Sequence, residues 1–299
     1  MTKNLKILIS VILLLECNAN SSEFKDLTLK EISENTSTFI SNFIPGEGIT
    51  EASVELKDDN KGNGNYQISI LGVRDILNRE DSNLFTQFSL HNQEINSDKR
   101  FIGNLGLGYR ILNLDQTMMI GSNIFYDQDL EENHKRIGLG FEGKAAILDF
   151  GLNLYQKATN QKVISNSKEQ VLSGQEYNLS SQLPYVPWTV FNLQGYRHEN
   201  ELASQEQKGN IYSLELALNP SLDFNIENDQ SSVDGQDSQW NYKINFIYPP
   251  RKNKPTLIDG LVSEEMYENK NMKSELKSKV RRNNNLAVEI QGSVIFTSK

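Results

Sequence analysis

The side chains best suited to chemistry are few. The chain holds three histidines, His91, His134 and His198, and one cysteine, Cys17. Acids close by in sequence, Glu131, Glu132 and Glu199, could join a histidine in a metal site or an acid–base pair. A hydrolase would also need a Ser or Thr nucleophile, a His base and an orienting group converging on one surface. No local spacing announces that arrangement. The expectation is therefore of a protein that is not an enzyme, with hydrated loop histidines, no catalytic residue, no cofactor and no metal. The stretch DQDLEEN (127–133) lacks the ordered spacing and central glycine of a calcium loop. One cysteine excludes an intramolecular disulfide and a cysteine zinc cluster. No glycine-rich phosphate loop is present.

What remains is a set of ionisable and amide side chains recurring at every second position, and such a set needs strands to hold it. In residues 100–112, Phe101, Leu105, Leu107, Tyr109 and Ile111 share one face, with Asn104, Gly106, Gly108 and Arg110 opposite. The same alternation sets Ile137, Leu139 and Phe141 against Glu142 and Lys144, and Leu148, Phe150, Leu152 and Leu154 against Asp149 and Asn153. Further along, Tyr212, Leu214 and Leu216 oppose Glu215, and Trp240, Tyr242, Ile244, Phe246 and Tyr248 oppose Lys243. Period-two patterning is the mark of strands with one apolar face. A soluble β-sandwich alternates too, but its polar face would not gather charges and glycines at strand centres. The expected inward-facing residues are Asn104, Arg110, Asn123, Asp127, Glu142, Lys144, Asp149, Asn153, Glu215, Asp223, Glu227 and Lys243.

Loop lengths point the same way. Short links at 113–115, 145–147, 183–187 and 219–221 alternate with longer polar links at 93–99, 128–135, 159–174, 199–209 and 229–238. Short turns on one side and long loops on the other is the outer-membrane barrel arrangement. Counting by that rule gives ten strands between 84 and 248, and two more fit upstream around the loop at 58–65, for a total of twelve. The expected fold is all-β, a twelve-stranded antiparallel outer-membrane β-barrel over 51–248. Trp188, Trp240, Tyr126, Tyr185 and Tyr248 near strand ends suit the interfacial aromatic girdle.

The flanks differ. Lys3 and Lys6 precede the apolar run Ile7–Leu15, and Ala19 offers a cleavage site, so 1–19 reads as a signal peptide. Lipid attachment at Cys17 is the rival, set back by Glu16 where a lipobox needs a small residue. Residues 20–50 read as a loosely helical periplasmic arm. After Pro249-Pro250, residues 264–282 are the best helix former in the chain, and the remainder to Lys299 forms a linker and short tail. The net charge of −9 and pI near 5.0 leave no basic face for nucleic acid. Mean hydropathy is −0.53, and no apolar run beyond the leader suits a spanning helix.

FTQFSLHN (85–92), NLGLGYRIL (104–112), MMIGSNIFYDQDL (118–130), HKRIGLGFEGK (134–144), LNLYQ (152–156), QEYNLSSQLPYVPW (175–188) and RRNNNLAVEI (281–290) occur in that order. Together they resemble the β-domain of the inverse autotransporters, the intimin and invasin translocators. The resemblance implies a twelve-stranded barrel whose own C-terminal segment passes through the pore to the cell surface. It places a short helix at about 264–282 and the pore linker at Arg281, Arg282, Asn283, Asn284 and Asn285. It implies outer-membrane lipid, the barrel-insertion machinery and periplasmic chaperones as partners, with any host or surface ligand unnamed. After Ile290 nine residues remain, whereas an immunoglobulin-like passenger needs about 100, so the expectation is of a translocator essentially without a passenger. A stand-alone small porin, or a structural barrel that adheres through its loops, is the alternative.

Overall fold

Alternation with a period of two gives each strand an apolar and a polar face, and closing the sheet removes both exposed edges. The computed structural model describes residues 47–57, 65–202, 206–232, 238–252, 254–268, 272–291 and 293–295. The proposed signal peptide, Cys17, most of the N-terminal arm, the loop at 58–64 and the last four residues lie outside them.

Twelve strands close into an antiparallel barrel. They are β1 (Gly48–Lys57), β2 (Asn65–Asn78), β3 (Ser82–Ile95), β4 (Asp98–Leu112), β5 (Met118–Asp129), β6 (Lys135–Ala145), β7 (Leu148–Lys157), β10 (Gly174–Leu183), β11 (Val186–His198), β12 (Gln207–Asn219), β13 (Leu222–Ser231) and β14 (Gln239–Tyr248). β1 and β14 seal the barrel in a register that runs from Thr50↔Tyr248 to Lys57↔Asn241. The apolar face points out: Leu105 is 58% exposed, while its neighbour across the pleat, Asn104, is 4% exposed. Phe141, Phe150, Ile124 and Ile244 lie on the same outer face. Such a belt is stable in lipid and a liability in water.

The links sort by end. At the turn end they are 79–81, 113–117, 146–147, 184–185 and 220–221; at the loop end, 130–134, 158–173, 199–206 and 232–238. One expected loop is absent. Instead of a polar link at 93–99, β3 and β4 run on to a two-residue turn at Asn96-Ser97, both with positive φ (56° and 65°). That is the backbone shape that matches strand twist in tight hairpins. The pair therefore projects beyond the end of β5, whose last ladder partner is Ile102↔Asp129, at the loop end.

The long loop at 158–173 carries a hairpin, β8 (Lys162–Ile164) and β9 (Ser167–Val171). It joins β15 (Val288–Ile290) and β16 (Ser293–Ile295) in a separate four-stranded sheet ordered β16-β15-β9-β8. Reaching it from β14, which ends at the turn end, requires the chain to cross the barrel from end to end.

Helix forms over much less than 264–282. Among the described residues there is one helical turn, α1 (Met272–Glu275), and a 3-10 turn at Leu257–Asp259. The sequence favours helix, but the barrel offers the backbone other partners. Tyr185 donates to Met266 O (2.9 Å), Ser263 donates to Tyr185 O (2.9 Å), and Trp188 Nε1 donates to Leu261 O (3.0 Å). A backbone bonded to the β10–β11 turn has no need of i→i+4 bonds.

Candidate functional site in the pore

The lumen is occupied by residues 272–287. At the turn end Met272 and Leu276 bury against Leu112 and Met119, and Lys144 Nζ contacts Glu275 Oε2 at 2.6 Å. After a turn at 276–278 the chain is extended, and a lone extended chain has no internal hydrogen bonds. Side chains of the barrel wall supply them. Asn83 and Arg110 donate to Leu276 O (3.1 Å each), and Arg110 also donates to Ser278 O. Gln87 accepts from Val280 N at 2.8 Å. Asn153 donates to Arg281 O (3.0 Å), Arg136 to Asn283 O (2.8 Å) and Asn104 to Asn284 O (3.0 Å). Asn283 N reaches both Glu176 Oε1 (2.9 Å) and Tyr155 OH (3.1 Å). Gln93 accepts from Leu286 N (2.9 Å) and returns a bond to Leu286 O (2.7 Å). This ladder is made by side chains, so its geometry depends on which residues line the wall at each height.

Two adjacent arginines brace the segment. Successive side chains of an extended chain point opposite ways. Arg281 pairs with Glu215 on β12, and Arg282 makes two bonds to Asp127 on β5, at 2.6 and 3.0 Å. β5 and β12 lie on nearly opposite sides of the twelve-strand circuit, so the pair spans the lumen. Asp127 also accepts from Arg136 (2.8 Å) and Asn104 (2.7 Å), so the carboxylate is fully used. The guanidinium of Arg282 lies 4.2 Å from the Phe125 ring, that of Arg110 lies 4.2 Å from Phe85, and that of Arg136 lies 4.0 Å from Tyr155. The inward glycines of β4 make room for those rings: a Cβ at Gly106 would fall 2.5 Å from Phe125, and one at Gly108 would fall 2.3 Å from Phe85.

Most of the remaining sequence candidates find partners nearby. Glu142 takes two more Arg110 bonds (2.8 and 3.1 Å). Asp223 pairs with Arg251 as the chain turns back under the barrel. Lys243 faces Glu55 at 3.8 Å, and Asn241 donates to Glu227 at 3.2 Å. Asn123 and Asp149 are buried on the wall. Asn285 bonds Gln67 at 2.8 Å. Lys279, which the sequence reading passed over, contacts Glu51 at 2.6 Å. Asn83, Gln87, Gln93, Arg136 and Glu176 were missed as well. Arg136 and Glu176 lie in quoted motifs at inward parity, and that was the available signal. Beside the threaded chain, between it and β1–β3 and β10–β14, a cavity of about 120 Å3 remains, room for several waters.

The histidines are not hydrated loop residues. His91, His134 and His198 are 2%, 0% and 4% exposed; His91 lines the lumen beside the threaded chain, and His134 is covered by the hairpin of the long loop. His134 lies 3.2 Å from Glu169 of β9, and Arg100 grips the same carboxylate at 2.7 and 2.8 Å. Burial alone would push the Glu169 carboxyl up, but its contacts with His134 and Arg100 hold it down at about 2. Among the described residues no group of three or more His, Cys, Asp or Glu could hold a metal. Tyr126, Tyr185, Trp240 and Tyr248 are exposed on the barrel exterior, whereas Trp188 is half-buried and bonds the returning chain.

Comparison with known proteins agrees with this architecture. The family described as "Inverse autotransporter, beta-domain" matches residues 15–284. The inverse autotransporter adhesin YeeJ of Escherichia coli K12 is 27% identical over 70% of this chain and 9% of its own length. Invasin of Yersinia enterocolitica is 23% identical over 69% of this chain and 25% of its own. The chain thus spans well under two thirds of these relatives. A solved structure from "Unveiling the Mechanism Behind the in-meso Crystallization of Membrane Proteins" shares the fold, with a TM-score of 0.65 and 20% identity, over 81% of this chain and 99% of that one.

Proposed function

The chain belongs to the inverse autotransporter β-domain family and lies in the outer membrane of a Gram-negative bacterium, and on that premise we propose that it carries its own C-terminal segment through its pore to the cell surface and holds it there. The observation that carries the reading is the path of that segment. It leaves β14 at the turn end, is bonded to the wall at successive heights from Leu276 to Leu286, and pairs with a surface hairpin at Val288. Short turns of such barrels face the periplasm, so the path runs outward.

The chain's residues do three things. The Asn, Gln and Arg side chains of the wall satisfy an extended backbone that would otherwise need water. The Arg281–Glu215 and Arg282–Asp127 pairs fix one register. Met272 and Leu276 close the periplasmic mouth with apolar contacts. The energy comes from binding and folding of the segment. Insertion machinery and periplasmic chaperones act as transient partners that deliver the barrel, with outer-membrane lipid around it. A porin with 251–299 left in the periplasm would keep these wall residues free for solute.

The test is access of protease and antibody to an epitope fused after Lys299 on intact cells. The expected result is access without permeabilisation. Protection that ends only when the outer membrane is opened would overturn the reading.

A further inference from the structure

We propose that the surface hairpin β8–β9 is the capture site for the emerging chain: it presents an open strand edge and an apolar seat at the outer mouth, and pairing with Val288–Ile290 draws the segment out and prevents its return. This rests on the translocation reading above and adds the element that completes it.

The hairpin is held by contacts that do not involve the emerging chain. Arg100 on β4 makes two bonds to Glu169, His134 lies against the same carboxylate, and Lys162 bonds the carbonyl of Glu132. Its turn, Ser165-Asn166, has positive φ at both residues (49° and 65°), the tight form that closes a hairpin without outside help. The platform can therefore stand before any strand arrives.

One edge of β9 pairs with β8, and the other is the edge that β15 takes, with Val171↔Val288, Gln170↔Glu289 and Glu169↔Ile290 in register. Leu172 N to Ala287 O and Gln291 N to Lys168 O extend the pairing at 2.9 and 2.8 Å. An unpaired edge is a template for strand addition, in which main-chain bonds hold and alternate side chains select. The seat is Ile95 and Ile102 of the projecting β3–β4 pair together with Val171. All three are fully buried, and Leu286, Val288 and Ile290 are what cover them.

Glu289 adds selectivity. Its carboxylate accepts from the backbone N–H groups of Glu201 and Leu202 (2.9 Å each), and Glu201 in turn holds Lys157 and Gln170. Arrival of this one strand thus reinforces the tie that Gln170 and Glu201 make between the β8–β9 hairpin and the β11–β12 loop. The contacts form outside the membrane, so the stabilisation is gained only after the segment has crossed.

The experiment uses the full chain with an epitope after Lys299, and pulse labelling follows its appearance on intact cells. Two variants are compared with the parent: 161–171 replaced by a short Gly-Ser turn, and Ile290→Asp, which leaves the hairpin untouched. Heat-modifiable migration reports barrel folding separately. With the barrel folded, both should slow or reduce exposure by roughly tenfold or more, because burying one large apolar side chain is already worth about that factor in an equilibrium. Exposure at the parental rate and extent in either variant would overturn the proposal. As an independent measurement, Val171→Cys with Val288→Cys should cross-link on oxidation of intact cells, and a folded protein that does not cross-link would also overturn it. Protection of the epitope in the parent would instead refute translocation itself, an outcome distinct from parental exposure in the variants.

Discussion

Asp127→Asn isolates the bond between wall and threaded chain, because asparagine keeps the shape and removes the charge. Four hydrogen bonds reach this carboxylate, two from Arg282 and one each from Arg136 and Asn104. Arg136 and Asn104 belong to the wall and face position 127 whether or not the segment is present. Only the Arg282 pair differs between the threaded and withdrawn states. Hydrogen bonds to charged groups contribute about 1.5–3 kcal/mol each, and removing one partner of a buried pair costs about 3–5 kcal/mol. The neighbouring cavity lets water reach Arg282 in part, so the low end of that range applies. About 3 kcal/mol corresponds to roughly a hundredfold shift toward the withdrawn segment. Planar-bilayer recording on the purified full chain reads this as a rise of that order in the open fraction. Arg282→Gln should shift it in the same direction, and the double variant should be no worse than the larger single. Asp115→Asn in the exposed β4–β5 turn should change nothing. The argument is refuted if Asp127→Asn records like the parent, or if the two single effects simply add.

Three further outcomes follow from the same geometry. Gly106→Ala places a methyl 2.5 Å from Phe125, beneath the ring that Arg282 covers; overpacking of this kind costs about 1–3 kcal/mol, and the temperature at which the folded band disappears in gel electrophoresis should fall. Leu105→Arg puts a charge on the lipid face and should lower the stability of the barrel in liposomes by about 2–4 kcal/mol in a urea titration. Glu169 is held at about 2, below its ordinary 4.5; a depressed carboxyl stabilises the fold above the ordinary value, and that contribution is lost as pH falls from about 4.5 through 2. Proteolysis within 160–170 should therefore be slow at neutral pH and accelerate across that acid range, whereas Glu169→Gln should be cleaved readily at pH 7 with little further change.

Particular elements show why some of this was legible and some was not. WNYKINFIY declares its two faces without reference to any other strand, and β14 carries Trp240, Tyr242 and Ile244 outward. The helix expected over 264–282 shrank to Met272–Glu275 because local propensity is worth only tenths of a kcal/mol per residue. Many side-chain bonds from the wall outweigh it. The loop expected at 93–99 became strand because the projecting β3–β4 pair gains Leu286, Val288 and Ile290 as a cover for Ile95 and Ile102. The hairpin inside 159–174 is too short and too polar to announce itself, and it is held by Arg100, a residue 69 positions away from Glu169.

The amino-acid order alone determined which residues lie on lipid and which turn inward, how many strands close the barrel, and which end carries the short turns. The first follows from alternation within each segment, which a backbone with a period of two enforces wherever the strand finally sits, and the other two follow from the succession of short and long links along the chain. Tertiary structure decided which inward residue meets which atom of the threaded chain: Arg282 on Asp127, Arg281 on Glu215, Gln93 on both backbone groups of Leu286, Glu289 on the loop at 201–202. Those contacts join residues far apart in the chain, and they exist only once closure has set every strand's height. A shift of one residue in the register of β5 or β12 would turn Asp127 or Glu215 toward lipid.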